Sequence, residues 1–377
     1  MHALLHMPFF SDSDRALARD LDALAAAHTW PDPENGNDAR ASQEALATLA
    51  RWGTLRHTVA DPWRLMPNVL AREVLAWHSG IADLAYVMQA LGSIAISLMG
   101  SPQQKAEMLP KVANGSACMA FALTEPEAGS DVAALTCAAT GAGDGYEITG
   151  QKHLISNAGI ATHYTVFART SEGRKGITAF LVAADSKGLL VQPQRPTSPH
   201  PLGRVLFDKV HVPAANRLGG EGDGLKLALM ALERCRTTVA AAACGFARRA
   251  LDEALTHTKG RRMFGSTLAQ QPVAQSLLAE MSARLDASRL LTYRAAWLFD
   301  NQGHRNPREV AVAKWQATEN AQWIIDKAMQ LAGGQGVLHG SIFERLYRDI
   351  RPLRIYEGAS EVQQLVIARQ LLESPDA

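Results

Sequence analysis

Two segments of the chain place hydroxyl and backbone N–H groups where they could hold a ligand. Residues 121–131 run from a β-prone stretch into a turn with Pro126 and Gly129, which leaves the hydroxyls of Thr124 and Ser130 beside backbone N–H groups. Such a turn can hold an electron-rich ring or a phosphate, although an acidic surface turn is the simpler interpretation. Residues 150–157 have the pattern of one side of a hairpin, or of an ordinary edge strand.

A third segment, residues 354–361, carries one candidate for acid–base chemistry. Glu357 stands between Tyr356 and Gly358, just ahead of an apolar-periodic stretch. A lone acid in the first turn of a helix usually complements the helix dipole. A carboxylate that faces a pocket and is partly desolvated is a stronger base. The residues alone leave both interpretations open.

The elements that position these segments fall into three stretches, which predict a mainly α protein with a central β domain. Residues 1–117 have helical periodicity, for example at 13–27, 41–52 and 65–77. Residues 118–216 contain short β-prone runs between Gly and Pro, which predict a small sheet or barrel. Long apolar-periodic helices return in residues 217–377.

Composition argues against several classes of protein. The 377 residues carry 38 Lys+Arg and 37 Asp+Glu, a net charge of +1, which argues against nucleic-acid or anionic-membrane binding. Residues 84–104 contain no charge, but polar residues, Gly and Pro interrupt them, so a buried helix is favoured over a membrane span. Four widely spaced cysteines fit a reducing compartment, and we expect a cytoplasmic protein. The spacing of His and Cys predicts no metal site.

Five segments occur in the order typical of the acyl-CoA dehydrogenase family, which the chain resembles from about residue 91 to 369. They are LTEPEAGSD at 123–131, residues 150–157, RRMFG at 261–265, LAGGQG at 331–336 and IYEGASE at 355–361. The resemblance implies an N-terminal helical domain, a central β domain and a C-terminal four-helix bundle. It also implies one FAD per subunit and a homodimer or homotetramer. The family's usual glycine-rich N-terminal patch is not visible.

The resemblance also implies roles for individual residues. Glu357 is the expected catalytic base. Ser130, Arg236, Tyr356 and Arg369 match positions that bind acyl-CoA. The expected FAD-binding residues are Phe121, Leu123, Thr124, Gly129, Ser130, Leu154, Ile155, Ser156, Arg261, Phe264, Gln271, Gln330, Gly333, Gly334, Gly358, Ala359 and Glu361.

The implied reaction is oxidation of an acyl-CoA thioester to its trans-2-enoyl form. The flavin takes a hydride at N5, Glu357 takes the α-proton, and electrons pass to an electron-transferring flavoprotein. Some relatives place the base just before the arginine that matches Arg236. Cys235 stands there in this chain, so Glu357 has no such substitute.

Three departures from the family pattern concern the flavin. Leu154 replaces an aromatic residue that commonly stacks on the ring, Pro272 replaces a common Gln, and Ala359 replaces a usual Thr. Because leucine offers no π contact, the flavin potential or the acceptor preference is expected to differ. Two other function classes stay open: a family-like flavin oxidase or monooxygenase, and a non-catalytic flavoprotein associated with DNA.

Overall fold

The computed structural model describes residues 5–302 and 306–373. The predicted N-terminal helices at 13–27, 41–52 and 65–77 are confirmed with small shifts at their ends. The helices before the sheet are α1 (Asp12–Ala26), α2 (Asp38–Arg51), α3 (Leu65–His78), α4 (Gly80–Met99) and α5 (Pro102–Ala113). Local sequence explains two of these starts. Ser11 with Asp14 and Ser101 with Gln104 form capping boxes, and Pro102 occupies the first turn of α5.

The central β region is an eight-stranded sheet within the described residues. Its strands are β1 (Met119–Ala122), β2 (Ala138–Ala142), β3 (Gly145–Ser156), β4 (His163–Arg169), β5 (Ile177–Ala183), β6 (Leu189–Gln194), β7 (Leu202–Pro213) and β8 (Arg217–Leu218). The order is β6-β7-β3-β2-β4-β5-β8, and β1 pairs with β4 in parallel. Strand β3 therefore lies inside the sheet, between β2 and β7.

Long helices follow the sheet, as the periodicity predicts. They are α6 (Gly224–Gly260), α7 (Pro272–Gln302), α8 (Pro307–Ala332), α9 (Ile342–Ile350) and α10 (Ser360–Glu373). A two-stranded hairpin of β9 (Arg262–Met263) and β10 (Ser266–Thr267) separates α6 from α7.

The chain divides into two compact units that do not follow the order of the sequence. Unit 1 comprises residues 1–29, 64–80 and 236–377, and unit 2 comprises residues 30–63 and 81–235. The boundary in α6 falls between Cys235 and Arg236. The three-domain division at 117 and 216 stays a prediction.

Unit 2 buries apolar side chains on both faces of its sheet. Along β4, Val166 and Ala168 belong to one apolar cluster, whereas Phe167 belongs to another that includes Leu181 of β5. This alternation follows from the period of two along a strand. Helix α4 packs in the second cluster through Ile94. Both faces of β4 are therefore covered.

Unit 1 is an all-helical core built on small residues. Ala240 and Ala243 of α6 and Ala317 and Ala321 of α8 are fully buried or nearly so. Small side chains at these positions allow the helices to pack closely against each other.

Helix α4 and the cysteines answer two questions raised by composition. Among the described residues, α4 is the one helix long and apolar enough to cross a membrane, and 78% of its apolar window is buried in the protein. The prediction of a buried helix is therefore confirmed. All four cysteines are free and buried. Burial raises the pKa of Cys118 to about 12 and that of Cys137 to about 11.

Candidate active site

In unit 2, the loop at residues 123–131 is tied to strand β3. The backbone N–H of His153 donates to the carbonyl oxygen of Thr124 at 2.8 Å. The ammonium of Lys152 donates to the carbonyl oxygen of Leu123 at 3.1 Å. The structure thus brings together two of the sequence segments singled out as candidates, the 123–131 loop and the 150–157 strand.

A buried carboxylate, Glu125, anchors this loop. It accepts a hydrogen bond from the Lys152 ammonium at 2.7 Å, and from the backbone N–H groups of Thr136 at 2.6 Å and Cys137 at 3.0 Å. Burial by itself raises the pKa of Glu125, but Lys152 and these N–H donors outweigh it and hold the pKa below its ordinary value. Glu125 is therefore ionised at neutral pH and structural in role.

The exposed edge of this region combines an apolar side chain with hydroxyl groups. Leu154 has a left-handed φ of 56°, and 53% of it is exposed. Ser156 lies two residues on, and its hydroxyl is 3.2 Å from Nε2 of His200. Burial lowers the pKa of His200, and its Nδ1 is 2.8 Å from the carbonyl oxygen of Ser198. The neutral ring thus has Nδ1 as donor and Nε2 as acceptor.

In unit 1, Glu357 occupies a turn just before α10. Its φ is 55°, and that of Gly358 is 94°. A side chain at residue 358 would meet Nε2 of Gln363 at 2.5 Å, so this position requires glycine. Glu361, not Glu357, is the acid in the first turn of α10. The dipole interpretation of the sequence therefore applies to Glu361.

Two cationic side chains hold the backbone of this turn. Nε of Arg236 donates to the carbonyl oxygen of Glu357 at 2.8 Å. Nζ of Lys314 donates to the carbonyl oxygens of Tyr356 at 3.0 Å and Gly358 at 2.5 Å. Three consecutive carbonyl groups, those of residues 356, 357 and 358, thus bind a cation. We call residues 356–358 the Glu357 turn.

Helix α8 holds both flanks of the Glu357 turn through a carboxylate. Glu319 forms an ion pair with Arg354 at 2.7 Å and accepts a hydrogen bond from the Ser360 hydroxyl. Nε2 of Gln363 adds a bond to the Gly358 carbonyl at 2.9 Å. The turn is thereby over-determined, which is what a residue in a left-handed conformation requires to persist.

Comparison with known proteins identifies the group to which this chain belongs. Residues 120–210 match the acyl-CoA dehydrogenase middle domain, and residues 222–372 match the acyl-CoA dehydrogenase C-terminal domain. Together these spans cover more than half of the chain. The chain belongs to the acyl-CoA dehydrogenase family.

Individual family members agree with this assignment. The chain is 36% identical to cyclohexane-1-carbonyl-CoA dehydrogenase of Geobacter metallireducens over 80% of each chain. It is 35% identical to the caffeyl-CoA reductase-Etf complex subunit CarC of Acetobacterium woodii, over 82% of this chain and 83% of the relative. The predictions of an oxidoreductase and of this fold class are confirmed.

A solved structure of the family bears on the cofactor. A glutaryl-CoA dehydrogenase of Mycobacterium smegmatis in complex with FADH2 has a TM-score of 0.89 and 26% identity, covering 97% of this chain and 96% of that one. The prediction of FAD as cofactor is confirmed at the level of the family.

The unit 2 region combines apolar and hydroxyl-bearing residues, which suits the predicted flavin ring. The exposed side chain of Leu154 offers an apolar surface. Thr124 and Ser156 are partly exposed and carry hydroxyl groups, and that of Ser156 is 3.2 Å from Nε2 of His200. The side chains of Phe121, Leu123 and Ile155 are buried in the apolar clusters of unit 2. Gly129 is exposed, and nothing lies within 4 Å of where its Cβ would be. Apolar packing plus a few polar groups is the usual composition of a cofactor site.

The remaining predicted FAD residues lie elsewhere in unit 1. Arg261 directly precedes β9, and Phe264 lies in the turn between β9 and β10, where it is 87% exposed. Gln271 donates to the Ser266 hydroxyl at 2.7 Å. Gln330, Gly333 and Gly334 end α8 in an exposed turn, with no atom within 4 Å of a Cβ on either glycine. Their role in FAD binding stays a prediction.

Sequence reasoning missed the side chains that hold the two candidate segments. They are Glu125, Lys152, His200, Lys314 and Glu319. Lys314 gave a signal, because it falls on the apolar face of α8 with Val310, Ala317 and Ala321, where a lysine is unexpected. Arg369, a predicted acyl-CoA residue, is exposed on α10, and Tyr356 is 36% exposed.

Proposed function

We propose that this chain catalyses the FAD-dependent α,β-dehydrogenation of an acyl-CoA thioester to the trans-2-enoyl-CoA, with Glu357 as the catalytic base. One observation carries the proposal. Glu357 is held in a left-handed turn whose carbonyl oxygens bind Arg236 and Lys314. A carboxylate that merely complements a helix dipole needs no such support, and Glu361 already occupies that position.

The chain's residues divide the reaction between them. The carboxylate of Glu357 accepts the α-proton of the thioester, and its backbone N–H donates to the thioester oxygen where charge develops. FAD supplies the acceptor for the β-hydride when it is bound. The loop at 123–131 and residues 154–156 would hold the flavin ring, and the hydroxyls of Thr124 and Ser156 would supply hydrogen bonds to it.

The remaining site residues complete the proposal. Ser130, Arg236, Tyr356 and Arg369 bind the acyl-CoA. Arg261, Phe264, Gln271, Gln330, Gly333 and Gly334 bind the rest of FAD, and Gly358, Ala359 and Glu361 close over it. Cys235 cannot act as the alternative base, because a thiol is not a carboxylate and Cys235 is buried.

Names of relatives suggest the range of substrates to test. One relative is named for cyclohexane-1-carbonyl-CoA and another for caffeyl-CoA, so both acyl groups carry a six-membered ring. The second is named a reductase, which is the same chemistry in the opposite direction. Straight-chain, branched and ring-bearing acyl-CoAs and enoyl-CoAs therefore belong in one anaerobic titration panel.

Glu357→Gln tests the assignment of the base. Gln is nearly isosteric and keeps the backbone N–H, so FAD and acyl-CoA still bind. Without a proton acceptor, anaerobic flavin bleaching in stopped flow should slow by about 10²–10⁴-fold. Glu373→Gln, which removes an exposed carboxylate at the end of α10, is the matched control and should bleach at the wild-type rate. If Glu357→Gln bleaches within a fewfold of the wild-type rate, the assignment is refuted.

Cofactor content, assembly and electron transfer test the rest of the proposal. We expect a yellow protein with one FAD per subunit, a homodimer or homotetramer by light scattering, and a cytoplasmic location. A relative in a complex with Etf supports an electron-transferring flavoprotein as partner. If the reduced enzyme is reoxidised by dioxygen faster than by this partner, the enzyme is instead an oxidase.

A further inference from the structure

Lys314 is a completely buried cation that the mechanism above does not use. It projects from the apolar face of α8, and its exposed fraction is 0%. Burying an ammonium group is unfavourable unless its hydrogen bonds and charge are compensated. Its two hydrogen bonds go to the carbonyl oxygens of Tyr356 and Gly358, the residues on either side of Glu357.

These two bonds fix the direction of the peptide groups around Glu357. The carbonyl of Tyr356 belongs to the peptide group whose N–H is that of Glu357, so holding one end sets the direction of the other. The carbonyl of Gly358 belongs to the peptide group between residues 358 and 359, so its bond to Lys314 fixes the chain one residue beyond Glu357. Lys314 therefore controls both functional parts of Glu357, the N–H donor and the position of the carboxylate.

Charge gives Lys314 a second effect on Glu357. The ionisable groups that act on Lys314 are Glu357 of the turn, Arg236 of α6, Glu319 of α8 itself and Glu361 of α10. Burial lowers the pKa of Lys314 to about 8, with Arg236 acting in the same direction and the three carboxylates against it. The ammonium is thus mostly protonated at neutral pH, and it favours the ionised form of the Glu357 carboxylate, which is the form that accepts a proton.

We propose that Lys314 is a positioning residue for the dehydrogenation, which orients Glu357 through the carbonyl oxygens of Tyr356 and Gly358 and places a positive charge near its carboxylate. This inference rests on the proposed role of Glu357 as the base. Lys314 itself touches neither the substrate nor the flavin in this assignment. Removing it should change the proton-transfer step and its pH dependence more than the binding of either ligand.

The experiment compares Lys314→Met with Lys314→Arg, Lys314→Gln and a matched control. Thr318→Val is the control, because Thr318 is also buried in α8 and its hydroxyl bonds carbonyl groups of α8 itself, those of Lys314 at 2.9 Å and Trp315 at 3.3 Å. For each variant we measure FAD content, thermal midpoint, acyl-CoA dissociation constant and the anaerobic rate of flavin reduction from pH 5 to 9. Arg and Gln variants cover the case in which the methionine variant does not fold.

We expect a specific pattern of effects. Lys314→Met slows flavin reduction at saturating substrate by about 10²-fold, the effect of a misplaced catalytic group, while the dissociation constant changes little. The acid limb of its pH–rate profile moves to higher pH, because the stabilising cation is gone. Lys314→Arg keeps the charge and leaves this limb near the wild-type position, even where the rate is reduced. Lys314→Gln shifts the limb as the methionine variant does.

Opposite results would overturn the inference. If the folded, FAD-loaded Lys314 variants reduce flavin at the rate of Thr318→Val with an unshifted acid limb, Lys314 only stabilises the fold. Glu357→Gln is measured in parallel to separate the two proposals. Rapid bleaching of Glu357→Gln refutes Glu357 as the base, whereas slow bleaching of Glu357→Gln beside unaffected Lys314 variants refutes only the role of Lys314.

Discussion

Both units bury a lysine completely, and the two lysines serve their segments differently. Lys152 bonds the Leu123 carbonyl and the Glu125 carboxylate, which is itself held by two backbone N–H groups. Lys314 bonds two carbonyls of the Glu357 turn, and the carboxylates around it include the proposed base. A buried cation that is paired with its own counterion has a structural role, because it holds two segments together. A buried cation that lies close to a catalytic base also influences the reactivity of that base through its charge.

The largest effect on stability is expected from Lys152→Met. It leaves Glu125 buried without its counterion, which typically costs about 3–5 kcal/mol. Urea unfolding followed by circular dichroism measures the loss. The double variant Lys152→Met/Glu125→Met should recover part of it, because no charge stays buried. If Lys152→Met costs no more stability than Lys314→Met, the distinction between the two lysines is wrong.

Gly358→Ala tests the Glu357 turn while both lysines keep their side chains. A Cβ there meets Nε2 of Gln363 at 2.5 Å, at a φ of 94°. We expect the free energy of unfolding to fall by about 1–3 kcal/mol and flavin reduction to become slower. Gly141→Ala is the control, because no atom lies within 4 Å of a Cβ there, its φ is not positive and it lies outside the proposed site. Equal stability of the two alanine variants would contradict the close packing of the turn.

The Lys152–Glu125 pair should make the stability of the protein depend on pH. The pKa of Glu125 is lowered in the folded state, so its contribution is fully present above the unfolded value of about 4.3 and is lost as the pH falls through the folded value. The stability difference between wild type and Glu125→Gln should therefore be constant at neutral pH and narrow in acid. Unfolding midpoints from pH 7 to 3 provide the measurement, and a constant difference over that range would count against the pairing.

The smallest effect on stability is expected from Leu154→Trp. About half of Leu154 is exposed, so the free energy of unfolding should change by about 0.5 kcal/mol or less. An aromatic ring at this position would alter the polarisable surroundings of the flavin, so its absorbance and reduction potential should shift. Unchanged spectra and potential would mean that residue 154 does not contact the flavin, and that the unit 2 region is assigned to the wrong ligand.

Sequence reasoning was strongest where the signal is local. Periodicity predicted the helices and strands, because side-chain spacing reports secondary structure directly. The motif around Glu357 singled out the carboxylate, but the residues alone left open whether it lies in the first turn of a helix or faces a pocket. Glu357 and Gly358 both have positive φ, which an α-helix excludes, so α10 begins only at Ser360.

Contacts between distant segments could not be predicted in the same way. Lys314 is 42 positions from Tyr356 and 44 from Gly358, and Glu125 is 27 from Lys152. A lysine on an apolar face indicates that some partner exists, but only the packing of helices or strands determines which one. Buried residues that support a site through distant contacts therefore cannot be predicted from the sequence. Residues that belong to the site segments themselves occur in recognisable motifs.

The four buried cysteines give this enzyme internal reporters of local opening. Only the thiolate reacts with alkylating reagents, and burial raises the pKa of the Cys118, Cys137 and Cys244 thiols far above neutrality. Each cysteine therefore becomes reactive when its surroundings open. Cys118 and Cys137 lie in unit 2 and Cys244 lies in unit 1. Timed alkylation followed by peptide mass spectrometry would yield separate opening rates for the sheet and for the helical core, without introducing a label.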